Sequence, residues 1–452
     1  MNNINLDRAM TMNIKIRIKQ LSEISLAELR SATIDQARVD QVKASVQDII
    51  GEVRARGDEA VLEFTRKFDG VEFSAPDMRV PESEIDDALN SVDGDVIEAL
   101  QAARANIEKY HAREKPEEWQ IETTEGVTPS LITRPLGTVG IYVPGGKAFY
   151  PSTVLMCAVP AIVAGVERIV MATPPRKDGQ VEPIVLASAK IAGITEIYKI
   201  GGAQAIAALA IGTETIPKVD AIVGPGNAYV SMAKQLLQGE VIIDSPAGPS
   251  EVLVVAGEDA DPKLTALDIC AQAEHDEDAV AMALVTSNAQ AIALAKATND
   301  LVPTLDRKAI LKASLEKNGL IIVLGKNTMD EDYANEAASV INAIAPEHLQ
   351  LSLDDATITT LLPLVKNAGA IFLGENSPVP LGDYASGTNH VLPTSGNAKR
   401  YSALNTTNFI KYIPVTRASK DGLKNLARTV STLARFEKLD GHARCVEDRV
   451  ND

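Results

Sequence analysis

The hydrophobic pattern changes rhythm twice along this chain. Over residues 25–117 apolar positions recur at three- and four-residue spacing among many charges, as in DQVKASVQDIIGEVRARGDEAVLEFTRKF, which predicts amphipathic helices. From Leu131 the texture becomes short apolar runs that mostly end at or near glycine, separated by alanine-rich helical segments. The runs are VGIYVPGG, ERIVMAT, EIYKIGG, AIVGPG, EVIID and EVLVVAG. Near-continuous apolar strands alternating with helices are what a parallel sheet covered on both faces requires. A second set follows, AVAMALVTS, GLIIVLG and AIFLG, interleaved with helical stretches such as AQAIALAKATND. Glycine and proline then crowd residues 378–393, and the chain closes in the helical tail KDGLKNLARTVSTLARFEKLDGHARCVEDRV.

The fold class expected is α/β, with two Rossmann-like parallel-sheet domains that lack a GxGxxG fingerprint. Residues 1–130 read as a mostly helical N-terminal region, 131–257 as the first α/β domain, 258–395 as the second, and 396–452 as the tail.

Composition narrows the function. A chain of 452 residues with 45% apolar content has ample material for more than one core. The formal charge of −17, with no basic cluster, disfavours nucleic acid, whose phosphates need a positive face. The longest apolar stretch, residues 153–166, contains Pro160 and is shorter than the ~18–20 residues needed to cross a bilayer. No signal-peptide pattern opens the chain, and Cys157, Cys270 and Cys445 are too dispersed for a disulfide framework or a metal clamp. A soluble protein of the reducing cytoplasm is expected. Cys157, inside the apolar stretch with no base beside it, reads as core packing, not as a nucleophile.

Four of the five histidines lie in polar segments. In AQAEHDEDA, Gln272 and His275 stand three apart, so on a helix they would share a face. The acidic run after them sits where the helix dipole favours cations. In APEHLQ, Glu347 and His348 are neighbours and can address one substrate only from a turn, which Pro346 makes available. PLGDYASGTNHVLP brings Asp383 and His390 into one loop, and EKLDGH carries Glu437 and His442 in the tail. Each segment alone also fits a blander reading: a solvated helix end, an exposed pair, a connector or a helix cap. Together they offer nitrogen and oxygen donors without thiolate, which suits zinc, manganese or a similar divalent ion. Three glycine-containing turns, at residues 140–152, 200–210 and 224–230, lead from apolar runs into helices and could hold a dinucleotide or be generic strand–helix turns. Asn227 could reach a ribose or simply cap its helix.

Over nearly its whole length the chain resembles the histidinol dehydrogenases. The stretches that carry the likeness are PLGTVGIYVPGGKAFYPSTVLM, KIGGAQAIAALAIGTETIPKVDAIVGPGNAYV, DSPAGPSEVLVVA, AQAEHDEDA, NAIAPEHLQL, AGAIFLGENSPVPLGDYASGTNHVLPTSG and LDGH. The resemblance implies zinc-dependent, four-electron oxidation of L-histidinol to L-histidine through L-histidinal, with two NAD+ reduced, in a homodimer. It implies zinc on Gln272, His275, Asp383 and His442, and proton transfer by Glu347 and His348. Substrate contacts would come from Ser250, Gln272, His275, His348, Asp383, Glu437 and His442, and NAD contacts from Tyr142, Gln204 and Asn227. In that family the partner subunit supplies the tail carrying Glu437 and His442.

Overall fold

The computed structural model describes residues 14–26, 36–145, 149–246 and 248–451. Two parallel sheets form its frame. In the first, Glu196–Lys199, Arg168–Thr173, Thr138–Tyr142, Ala221–Val223 and Ile242–Ile243 lie side by side in that order. Numbered by chain position the order is 3-2-1-4-5, the doubly wound arrangement. The second sheet repeats it with Leu320–Val323, Val280–Val285, Glu251–Ala256, His348–Ser352 and Ala370–Leu373, and adds Arg17–Gln20 at the outer edge. Every pairing in both sheets is parallel. A separate antiparallel ribbon joins Val127–Pro135 to Ile410–Ala418, with Trp119–Gln120 on its other side.

The strand Glu251–Ala256 shows why these runs are apolar throughout. Val252 and Val254 enter one core with Ile269 and Leu311, while Leu253 and Val255 enter the opposite core with Tyr333 and Ile341. Side chains alternate between faces, so a strand covered on both sides needs an apolar residue at each position. The covering helices Pro151–Ala164 and Pro183–Ala192 begin on proline and stop at a left-handed glycine, Gly165 and Gly193. Cys157 is fully buried in the first of them, and burial pushes its thiol far up. No helix among the described residues is long and apolar enough to cross a membrane.

The pairing shifts the expected boundaries. Glu251–Ala256, placed by sequence in the unit 131–257, is the central strand of the second sheet, so the division falls before Glu251. Val127–Pro135 pairs with the strand Ile410–Ala418, so neither 130/131 nor 395/396 separates independent pieces. The N-terminal helices are likewise a layer on the first sheet: Gln36–Arg56 packs on Gly202–Ile211 and Ala228–Leu237, and Gly94–Glu114 packs on Pro151–Ala164.

The turn after Ala221–Val223 is built around Gly224, which takes φ +113° against the Tyr142 carbonyl. Its N–H donates to Asp244 Oδ2 at 2.8 Å, its carbonyl accepts from Lys234 Nζ at 3.0 Å, and the buried Lys234 and Asp244 pair with each other. A methyl group there would overlap the Tyr142 carbonyl oxygen. Gly224→Ala is therefore expected to lower unfolding free energy by more than ~1 kcal/mol, read from the urea midpoint at unchanged slope.

Candidate active site

The helix Tyr333–Ile344 stops at Ala345, a non-glycine residue in the left-handed region (φ +54°, ψ 61°). Pro346 and a bend at Glu347 then lead into the strand that starts at His348. This turn lets the adjacent pair face one place. Beside it begins the neighbouring strand, at Glu251. The Glu251 N–H donates to Glu347 Oε2 at 2.7 Å, and the Glu347 N–H donates to Glu251 Oε1 at 3.3 Å. His348 Nδ1 lies 3.1 Å from the Glu251 carbonyl oxygen. A carbonyl can only accept, so Nδ1 carries a proton, and in the neutral ring Nε2 is the acceptor nitrogen.

His348 Nε2 faces Asp383 Oδ1 at 3.5 Å, beyond a good hydrogen bond, and has no hydrogen-bond partner among the described residues. Burial opposes a charge on His348, but the carboxylates of Glu347 and Asp383 outweigh it and raise its proton affinity. Burial pushes Glu347 above the usual carboxyl range, although His348 resists. Asp383 is also desolvated, yet His348 beside it holds its carboxyl below the ordinary value.

Asp383 sits in the short helix Pro380–Tyr384. His390 fixes that loop: its Nδ1 donates to the Asp383 carbonyl oxygen at 2.9 Å, and its Nε2 lies 3.3 Å from the Thr153 hydroxyl. His390 is thereby a buttress that ties the site to the first unit. The helix Pro262–Ala273 ends before His275, so Gln272 and His275 do not share a continuous helical face. A single turn joins them, the His275 N–H donating to the Gln272 carbonyl at 3.2 Å. His275 keeps one side open while the protein around it lowers its pKa, with Asp383 and His348 among the charges it senses. Gln272 is buried and its Nε2 has no partner among the described residues. Ser250 directly precedes the Glu251 strand, and its carbonyl accepts from Val280.

Glu437 and His442 are not brought to this cluster within the chain. Both are exposed on the tail, whose last helix Asp440–Asn451 packs on Lys420–Phe436. Among the described residues no three His, Cys, Asp or Glu side chains stand together at metal-holding geometry.

The three residues expected at the dinucleotide do converge. Tyr142, Gln204 and Asn227 line one cavity of about 910 Å³ at the carboxyl ends of the first sheet's strands, where doubly wound sheets hold ligands. The Asn227 side-chain oxygen caps the helix Ala228–Leu237, accepting from Tyr229 and Val230, so this part of its amide is the helix cap. Gln204 is buried with neither amide atom partnered among the described residues. Orphaned buried polar atoms cost ~1–3 kcal/mol each and so point to an absent ligand.

Residues 33–450 match the family model described as histidinol dehydrogenase. The chain belongs to the histidinol dehydrogenase family. It is 48% identical to the histidinol dehydrogenase of Methanothermobacter thermautotrophicus over 93% of this chain and 97% of that one. The Methanosarcina barkeri relative of the same name is 43% identical over 96% and 98%. The solved histidinol dehydrogenase of Elizabethkingia anophelis superposes with a TM-score of 0.90 at 38% identity, covering 96% of this chain and 98% of that one. Membership makes the chain an oxidoreductase that acts on histidinol in histidine biosynthesis.

In this histidinol dehydrogenase Glu251 went unnoticed in the sequence, because a glutamate opening an apolar run looks like any strand start. Its amide, carbonyl and carboxylate all touch the Glu347–His348 pair. Burial and the neighbouring Glu347 raise its carboxyl well above the usual carboxylate range. Glu251→Ala is expected to lower kcat for histidinol oxidation about 10–100-fold, and the isosteric Glu251→Gln to keep most of it. Equal loss in both variants would mean that charge, not placement, is what Glu251 supplies.

Proposed function

We propose that the chain oxidises L-histidinol to L-histidine through L-histidinal, reducing two NAD+, with one zinc ion per subunit in a homodimer whose tails complete each other's sites. The observation that carries this reading is the convergence of His275, Asp383 and His348, with the buried Gln272 one turn from His275, around polar atoms that lack protein partners. An amide, imidazole and carboxylate form the kind of donor set zinc accepts. Gln272, His275 and Asp383 would hold it with His442 of the partner subunit. Zinc bound there would orient the imidazole and amino nitrogens of the substrate, a gain of position more than of acidity.

The chain's own groups then divide the proton transfers. His348, its Nδ1 proton fixed on the Glu251 carbonyl, presents Nε2 to the substrate alcohol and takes the hydroxyl proton, without which hydride does not leave easily. Glu347 Oε2 is anchored by the Glu251 N–H. Glu347 is the base for the water that must add to the aldehyde before the second oxidation. Ser250 and Glu437 of the partner subunit are assigned to the substrate's polar end. Tyr142, Gln204 and Asn227 are assigned to NAD+, the hydride acceptor. All three cysteines are free thiols, as suits the cytoplasm in which this reading places the protein.

Zinc-loaded protein given L-histidinol and NAD+ is expected to form about two NADH per histidinol consumed, and to stop when a chelator removes the metal. Absence of NADH from folded, zinc-loaded protein would sink the reading.

Sharing of sites has its own test. Asp383→Ala and His442→Ala are each expected to be nearly inactive. Mixing them through reversible unfolding is expected to restore about a quarter of wild-type activity, since half the dimers would be mixed and each would hold one intact site. No recovery in verified mixed dimers would mean that each chain completes its own site.

A further inference from the structure

Opposite Tyr142, Gln204 and Asn227, the N-terminal helices close the cavity with Ile49, Phe64, Phe68 and Asp69. Asp69 ends the helix Asp58–Asp69. Its Oδ2 is buried and has no hydrogen-bond partner among the described residues. Burial alone pushes its carboxyl up to about 6. Of the cations that line the cavity, Lys67 Nζ lies 5.3 Å from the Phe68 ring centroid, Arg176 pairs with Asp178 and Glu182, and Lys177 stands on the same lining. Asp69 as a whole is half-buried, but a buried carboxylate oxygen without a partner destabilises the empty protein, and such departures from local consistency concentrate at binding sites.

In doubly wound dinucleotide sites, an acid near the end of the second strand accepts hydrogen bonds from the ribose hydroxyls. Here the second strand, Arg168–Thr173, runs into Pro174, Pro175 and Arg176. The first acid beyond it, Asp178, is taken by Arg176 and by the Gln180 N–H at 3.0 Å. Asp69 comes from another layer but reaches the same side of the sheet. Val71 and Phe73, just past it, sit against Gly179, and Lys199 Nζ at the end of the third strand lies 4.9 Å from the Phe73 ring centroid. Asp69 therefore stands beside the carboxyl ends of strands two and three, the adenosine side of such a site.

We propose that the Asp69 carboxylate accepts hydrogen bonds from the 2′- and 3′-hydroxyls of the dinucleotide's adenosine ribose and repels a 2′-phosphate, setting a preference for NAD+ over NADP+. This rests on assigning the cavity to NAD+.

The test compares wild type with Asp69→Asn by calorimetric titration with NAD+ and NADP+ and by steady-state kinetics. NAD+ affinity is expected to fall about tenfold or more, and the preference over NADP+ to narrow by at least that factor. The KM for histidinol and kcat at saturating NAD+ are expected to stay within about twofold. The melting temperature of the ligand-free protein is expected to rise, because the charge on a half-buried side chain with one unpartnered oxygen has gone. Unchanged NAD+ affinity and discrimination in the variant, alongside a wild type that turns over histidinol, would overturn the Asp69 assignment alone. A lower melting temperature would overturn it too, by making Asp69 a structural partner. Wild-type protein that binds no NAD+ would overturn both readings.

Discussion

Two neighbouring parallel strands begin side by side at Glu251 and His348, and the backbone amides at their starts are each satisfied by a carboxylate from the other chain segment. This reciprocal exchange is the constraint on which the site depends. Burial is the main reason that both carboxyl groups are raised, with the charge of Glu347 adding to it at Glu251 and that of Asp383 at Glu347. They remain there because each receives an N–H, and because the arrangement leaves Glu347 and His348 little freedom. The left-handed Ala345 is a local cost of the same arrangement, since the chain must leave a helix and enter the strand within three residues.

The two units share one strand order but use opposite edges. The first offers its cavity at the carboxyl ends of its strands, as doubly wound sheets do. The second carries Glu251 and His348 at the amino ends of two neighbouring strands. Its carboxyl edge is closed by its own side chains: the Gln290 amide donates to the Gly257 carbonyl and accepts from Thr286, and Gln350 donates to the Gly374 carbonyl. Thr153, at the start of the helix that follows the first strand of the first sheet, meets His390 behind Asp383. Through this contact the unit at the first sheet meets the loop that carries Asp383.

Much of the fold was legible because buried parallel strands must be apolar at every position, and runs such as EVLVVAG carry that mark. What a run cannot show is which sheet it joins. Glu251–Ala256 follows the short strand Ile242–Ile243 closely in sequence, yet its partners are Val280–Val285 and His348–Ser352. That choice is made by long-range pairing, and the expected domain limits failed for this reason. The site was legible only through long motifs shared with a family. Physical reading found the need for a turn at Pro346 and the polar character of the ligand set. It had no means of seeing Glu251, whose contacts depend on which strand it comes to lie beside, or the buried Oδ2 of Asp69, which in the sequence is an ordinary acidic helix end. Asn227 had two readings in the sequence, and the structure makes its side-chain oxygen a helix cap.

The tail adds a dimension of time. Leu423, Leu426, Val430 and Leu433 recur at helical spacing along Lys420–Phe436, and within one chain Leu433 and Phe436 are 60% and 88% exposed. Such a stripe is stable in water only when something covers it. In the proposed homodimer the cover is a second copy, so maturation ends with a bimolecular step whose rate rises with the concentration of newly made chains. On that reading, between closing its two sheets and meeting that copy each molecule is folded, adhesive and idle, and in that interval it is most exposed to wrong associations.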